Sequence, residues 1–264
     1  MAWFDTHCHL DFPPFDADLA SHLMKFKQQN IAQCLVPAVG PDNWLRVLHL
    51  SSHPMLHVAL GYHPCFFDPQ ALQGQPELLL ADLLQLEQFV ETHRQQIIAW
   101  GECGLDGRFP ETLAHQEFAL VRQIAAAQHQ QLPLLIHSVR LHDRVAQLLK
   151  LEQFNQGGII HGFSGSYTQA SRFVDLGFKL GIGGGITWPR SEKTRKALRR
   201  LPLQALVLET DAPDMPLYQM QEAYNSPLNL PTIFNCLLEL RNESAEQLQQ
   251  ALWENSHQVL NLSI

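Results

Sequence analysis

Apolar residues in this chain gather into short runs, with longer mixed stretches between them. Eight runs stand out: WFDTHCHL near 2–9, AQCLVPAVG near 32–40, LHVALGYH near 56–63, IIAWGECG near 97–104, LPLLIHSV near 132–139, GGIIHGF near 157–163, FKLGIGGGI near 178–186 and ALVLETDA near 205–212. Each is short and rich in Val, Ile or Leu, the pattern of a strand buried on both faces. Between the runs, apolar positions recur at helical spacing. PELLLADLLQLEQFVETHRQQ predicts a helix over 76–96. ETLAHQEFALVRQIAAAQHQQ predicts one over 111–131, with Leu113, Phe118, Val121, Ile124 and Ala125 on a common face. SEKTRKALRR predicts a short basic helix over 191–200. A proline-rich loop follows the eighth run, and two helices near 231–241 and 244–260 close the chain. Ser244 is the expected N-cap of the last, with Gln247 at the capping-box position.

Eight strands alternating with helices predict the α/β class and a closed (β/α)8 TIM barrel. A doubly wound open sheet is the structural alternative, weakened because no Gly-rich phosphate loop follows the first run. No internal repeat, linker or low-complexity tract interrupts the pattern, so residues 1–264 are read as a single barrel domain.

A barrel of this type carries its active site at the C-terminal ends of its strands. The first run ends in His7 and His9, the third in His63, the fourth in Glu102, the fifth in His137, the sixth in His161 and the eighth in Asp211. Any one of these histidines alone reads best as a hydrogen-bonded core residue. Together, seven potential ligands occupy one end of six strands, which scattered structural histidines do not do. Strand residues i and i+2 share a face, so His7 and His9 point one way and Cys8 the other, towards the helices. A carboxylate after IIAWG is costly to bury unless it is paired or metal-bound. Four imidazoles and two carboxylates suffice for two divalent ions with positions left for water and substrate. Such a pair can activate water and hold a phosphoryl or carbonyl oxygen. Asp211 suits a double role, as ligand and as the group that deprotonates the attacking water. His63 is open between ligand, outer support and substrate contact, with substrate contact favoured. These donor types do not distinguish Zn²⁺, Mn²⁺, Mg²⁺, Co²⁺ and Ni²⁺.

Composition narrows the setting. The formal net charge is −8, from 18 Lys and Arg against 26 Asp and Glu, which weighs mildly against non-specific binding of polyanions. The five cysteines are odd in number and show no CxxC pair, and no basic-then-apolar segment opens the chain. A reduced, cytoplasmic protein is therefore expected. No apolar run approaches the length of roughly 18 residues that a membrane span needs. A complete barrel is expected to be monomeric, with no obligate protein partner.

The motifs also carry a resemblance. DTHCHLDF at the N-terminus, GYHP at 61–64, GECGLD at 101–106, LPLLIHS at 132–138, HGFSGS at 161–166 and LETDAP at 208–213 resemble, in order, the motifs of the TatD family of metal-dependent deoxyribonucleases within the amidohydrolase superfamily. The resemblance covers nearly the whole chain. It implies a metallo-dependent hydrolase barrel whose ligands fall on His7, His9, Glu102, His137, His161 and Asp211. It further implies that Glu102 bridges two ions, where many amidohydrolases use a carboxylated lysine; the fourth run holds no lysine. DNA or another phosphodiester is the implied substrate. Departures fall on the rim: Gly107 after GLD, Gly162 after the sixth-run histidine, Asp214 after TDAP, and YNSP at 224–227 without a preceding arginine.

Two activities follow. One is a two-metal phosphodiesterase or deoxyribonuclease in which Glu102 and Asp211 are catalytic. His63 and Arg140 would contact substrate, and Arg108, Arg190, Lys193 and Arg195 also follow predicted strands on the phosphate side. The other is hydrolysis of C–N or ester bonds in a small molecule by the same centre. A binding protein on a decayed barrel is disfavoured because the constellation is complete.

Overall fold

The computed structural model describes residues 2–67, 73 and 75–263; residues 1 and 264, the ends of the expected domain, lie outside them. Eight strands form one parallel sheet in sequence order: β1 (Trp3–Asp5), β2 (Ile31–Pro37), β3 (Leu56–Leu60), β4 (Ile97–Asp106), β5 (Leu134–Val139), β6 (Gly158–Ile160), β7 (Phe178–Ile182) and β8 (Leu206–Leu208). The helices between them are α1 (Leu19–Gln28), α2 (Trp44–Leu50), α3 (Pro76–Thr92), α4 (Leu113–Gln130), α5 (His142–Leu151), α6 (Tyr167–Asp175) and α7 (Glu192–Leu198), with α8 (Leu230–Leu238) and α9 (Ala245–Val259) after β8. This is the TIM-barrel arrangement that the alternation predicts. Among the described residues no ladder joins β8 to β1. That seam is held instead by the Thr6 backbone N–H and hydroxyl, which donate to the Leu208 carbonyl at 3.0 and 2.9 Å. No described helix is long and apolar enough to cross a membrane.

The barrel interior is packed by Phe4, Leu35, Ala59, Ala99, Leu135, Ile159 and Val207, one from each strand except β7, and is closed from below by Val259 and Leu260. A second, larger apolar layer lies between strands and helices. Cys8 and Cys103 are buried in that outer layer, as expected of residues that alternate with inward-facing ones. Ser244 caps α9, with both capping-box hydrogen bonds to Gln247 formed.

Two expectations need correction. Several strands are shorter than their apolar runs: β1 stops at Asp5, β3 at Leu60 and β8 at Leu208. The residues beyond stay buried but leave the ladder, bending into the barrel mouth and bonding across it. The buried face of α4 also differs. It consists of Gln116, Ala119, Leu120, Gln123, Ile124 and Ala127, whereas Phe118 is 44% exposed and Ala125 faces solvent. The cause is a pair of buried glutamines that serve as backbone partners. Gln123 Oε1 accepts from the Tyr62 N–H at 2.8 Å and the Trp100 indole at 3.2 Å, while its Nε2 donates to the Tyr62 carbonyl at 3.0 Å. Gln116 does the same for Asp106, accepting from its N–H at 2.7 Å and donating to its carbonyl at 3.2 Å. Backbone groups at and beyond the strand ends need such partners, since unpaired buried amides are expensive. Gln123→Leu is therefore expected to lower the unfolding free energy by about 3 kcal/mol, and Phe118→Gln by less than about 0.5 kcal/mol. Denaturant melts of both variants check the ranking; the reverse order would contradict it.

Candidate metal centre

The β1–β8 seam builds the first half of the site. Asp5, fully buried, accepts from the Thr210 N–H at 2.9 Å, the Thr210 hydroxyl at 2.5 Å and the His7 N–H at 3.3 Å. Burial pushes its carboxyl up to about 8 against these hydrogen bonds. The two chain segments then bond to each other directly: the Asp211 N–H donates to the His7 carbonyl at 2.8 Å and the His9 N–H to the Ala212 carbonyl at 2.7 Å. His7, His9 and Asp211 are thereby fixed together, although all three lie past the ends of their strands.

Glu102 comes from β4, where its N–H donates to the Ala38 carbonyl at 3.0 Å. The backbone here passes so close to β3 that a Cβ on Gly61 would sit 2.5 Å from the Gly101 Cα. His137 lies within β5, and His161 follows β6 with its N–H on the Ile136 carbonyl at 3.0 Å.

All six expected ligands converge, and the two oxygens of Glu102 divide them. Oε2 is 3.2 Å from His7 Nε2 and 3.6 Å from His9 Nε2. These two nitrogens are 3.3 Å apart and lie 3.6 and 3.5 Å from Asp211 Oδ1. Oε1 is 3.2 Å from His137 Nδ1, 3.1 Å from His161 Nε2 and 3.4 Å from His63 Nε2. Four donors at about 2.1 Å from one tetrahedral ion are separated by about 3.4 Å. The His7, His9, Asp211 and Glu102 atoms match that spacing, so this donor set fits a divalent ion. Three sets are compact enough to share an ion: His7, His9 and Asp211; His7, Glu102 and His161; and His63, Cys65 and His137.

The second ring nitrogen sets His137 and His161 apart from His63, whereas Nδ1 of His7 and of His9 has no hydrogen-bond partner among the described residues. A ligating histidine donates its other ring N–H to an acceptor. His137 Nε2 is 3.0 Å from Asp106 Oδ2, and His161 Nδ1 is 3.5 Å from Glu209 Oε1. An ionised carboxylate can only accept, so in the neutral ring the proton sits on that side and the nitrogen facing Glu102 keeps its lone pair. Burial favours that neutral ring, but the surrounding acids outweigh it and raise both pKa values, so an ion would bind by displacing a proton. His63 is the reverse. Its Nδ1 accepts from the Cys65 backbone N–H at 3.1 Å. The proton of the neutral ring is then on Nε2, which faces the centre as a donor and not as a ligand. Burial pulls His63 down to about 4, so the ring is neutral at physiological pH. In the His63, Cys65 and His137 set, Cys65 Sγ at 3.4 Å and His137 Nε2 at 3.0 Å are both already on Asp106 Oδ2.

Asp106 and Glu209 carry roles that the sequence reading left unassigned. Arg108 grips Asp106, with Nε 3.0 Å from each oxygen and Nη2 2.5 Å from Oδ2. Burial opposes the charge on Asp106, but hydrogen bonds from His137 and Arg108 outweigh it and hold the carboxyl well below the usual range. Glu209 also accepts from the Gly162 N–H. Only a glycine at 181 leaves it room, because a Cβ there would lie 1.9 Å from Glu209 Oε2. Both acids were visible as carboxylates beside apolar runs, the signal that picked out Glu102. For Glu102 itself, burial is outweighed by the imidazoles around it, His161 foremost, and the carboxyl lies well below its ordinary range.

The centre opens into a cavity of about 640 Å³ lined by His9, His63, Glu102, His137, His161 and Asp211, with Phe12, Phe66 and Arg108 higher on its wall. Arg140 is exposed on the rim and does not line it. Arg195 turns away, donating to the Ile186 carbonyl at 2.8 Å, and Arg190 stacks over Trp188 at 4.4 Å. Lys193 is exposed.

A family model described as TatD related DNase matches residues 4–261. The chain belongs to this family. It is 41% identical over 263 residues to YjjV of Escherichia coli strain K12, an uncharacterized metal-dependent hydrolase, with 98% of each chain covered. A crystal structure of that TatD homolog superposes with a TM-score of 0.90, covering 99% of this chain and 98% of the other. A human protein named deoxyribonuclease TATDN3 is 29% identical over 259 residues, 96% of this chain and 92% of that one. The six TatD-like motifs of this chain are the segments that meet at the centre described above.

Asp106→Asn keeps the side-chain shape but weakens the acceptor for the His137 N–H. It is expected to weaken divalent-metal binding about 10- to 100-fold. Competition titration with a fluorescent chelator measures this, and an unchanged affinity would remove Asp106 from the centre.

Proposed function

We propose that this protein is a divalent-metal-dependent phosphodiesterase that acts on DNA. The observation that carries the proposal is the pairing of a shared carboxylate between two donor sets with a single anchored guanidinium above it. His7, His9, Glu102 and Asp211 would hold one ion, and Glu102, His137 and His161 the other. When bound, such ions supply Lewis acidity towards a phosphoryl oxygen and favour deprotonation of water near neutral pH.

The remaining work falls to the chain's own side chains. Asp211 turns Oδ1 to His7 and His9, which leaves Oδ2 to accept a proton from water. Burial opposes its charge, but His161, His9 and His7 outweigh this and lower its pKa, so the carboxylate is ready to act. His63 presents a neutral Nε2–H donor to a non-bridging substrate oxygen. Arg108 is the one Lys or Arg among the described residues that line the cavity. Asp106 engages its Nε and Nη2, and the side chain is still half exposed, so the guanidinium can also meet a phosphate. An amide or lactone has no charge to match this guanidinium. The second reading, hydrolysis of a C–N or ester bond, draws on the apolar part of the wall, where Val39, Val139 and Met215 also line the cavity.

The test is a set of assays on protein stripped with chelator and reloaded with Mn²⁺ or Zn²⁺. The substrates are labelled DNA, a simple phosphodiester, and a panel of amides and lactones. Metal-dependent cleavage of the two phosphodiesters is expected. Turnover of the amides and lactones alone would overturn the proposal.

A further inference from the structure

Two phenylalanines stand at the cavity wall, and the hydrolytic chemistry uses neither. Phe12 lies three residues after His9, and Phe66 ends the short 3-10 turn Pro64–Phe66 that follows His63. Both line the cavity. Phe12 meets the His9 ring edge-on at 5.8 Å, and Phe66 meets His63 edge-on at 5.6 Å. Each phenyl ring is thus braced on a histidine of the centre. Their centroids are 6.3 Å apart with the planes inclined at 52°. A flat group stacked on both needs near-parallel planes about 7 Å apart, so the pair admits one when it opens slightly and a ring, the exposed Phe66 most readily, turns by the 52° that now separates the planes. Phe66 is 49% exposed, a large apolar surface to leave in water at the mouth of a polar site.

Charge narrows the occupant. The Arg46 guanidinium lies 5.6 Å from the Phe12 centroid, and its Nη2 donates to Asp11 Oδ2 at 3.1 Å. The Arg46 side chain is still half exposed. Aromatic faces beside an anchored cation suit a ligand that is both planar and anionic, and an aliphatic acyl group would gain nothing from the arginine. Stacking rings set along a cationic path are the means by which proteins hold nucleic-acid strands base by base.

We propose that Phe12 and Phe66 form a base clamp. The nucleobase beside the scissile phosphate stacks between the two rings, and the next phosphate of the strand lies on Arg46. The inference rests on the nuclease reading and extends it, since it makes the substrate an oligonucleotide and not a minimal phosphodiester.

The test compares two oligomers of equal length on the metal-loaded full-length protein: one with ordinary bases and one with every base replaced by a tetrahydrofuran abasic unit. The wild type is expected to favour the base-bearing oligomer at least about tenfold in kcat/KM. Phe66→Ala and Phe12→Ala should each bring that preference close to one, chiefly through KM, whereas Phe66→Trp keeps it. Arg46→Gln should reduce the slope of log(kcat/KM) against log[salt] by about 0.7. Equal cleavage of both oligomers by the wild type, or a preference that survives Phe66→Ala, would overturn the clamp while leaving the nuclease reading intact. An unchanged salt slope in Arg46→Gln would remove Arg46 from the path. Failure to cleave either oligomer alongside turnover of amides or lactones would overturn both readings.

Discussion

The structure is organised around one buried carboxylate. Glu102 is 2% exposed and faces five imidazoles, two through one oxygen and three through the other. A charged carboxylate in such a place is untenable without matched positive charge. The surroundings sharpen the point. Asp5, Asp106, Glu209 and Asp211 are buried within the same strand ends, while Arg108 is the one permanent cation in direct contact with any of these five acids among the described residues. A centre so rich in acids and imidazoles is suited to cations of high charge. Divalent ions in the proposed donor sets would meet that requirement, and proton uptake by the histidines is the alternative that competes with them.

The support of the centre repeats one device. A carboxylate behind each of His137 and His161 fixes which nitrogen carries the proton, and the buried Asp5 fixes the backbone that presents His7, His9 and Asp211. His63 lacks such an acceptor and is instead capped by a backbone N–H. One imidazole in the ring around Glu102 is thereby turned from ligand to hydrogen-bond donor. The distinction depends on a single backbone hydrogen bond two residues away, a level of detail at which geometry decides chemistry.

Much of this was legible in the residues alone. Strands buried on both faces must be apolar throughout, so the eight runs announced a parallel barrel, and polar residues at their ends had to be there for a reason. The rest was hidden for identifiable causes. Gln116 and Gln123 look like surface residues of a helix, and only the strand ends they bond explain their burial, so the expected face of α4 holds for Leu113, Val121 and Ile124 but not for Phe118 and Ala125. Asp106 and Glu209 lay in plain sight, but sequence spacing does not show a carboxylate reaching across to a neighbouring strand's histidine. Arg108 and Arg140 are equivalent in sequence, each following a strand. Arg108 is drawn to the cavity by Asp106, whereas Arg140 sits at φ 61° on the exposed rim.

The account stands on Glu102 serving two sites at once. Metal content per chain, measured by mass spectrometry after equilibrium dialysis against Mn²⁺ or Zn²⁺, tests this directly in the wild type and in Glu102→Ala. The account predicts two ions per chain in the wild type and the loss of both in a variant that remains folded. Two ions retained in Glu102→Ala, or loss confined to one site with the other at full affinity, would contradict it.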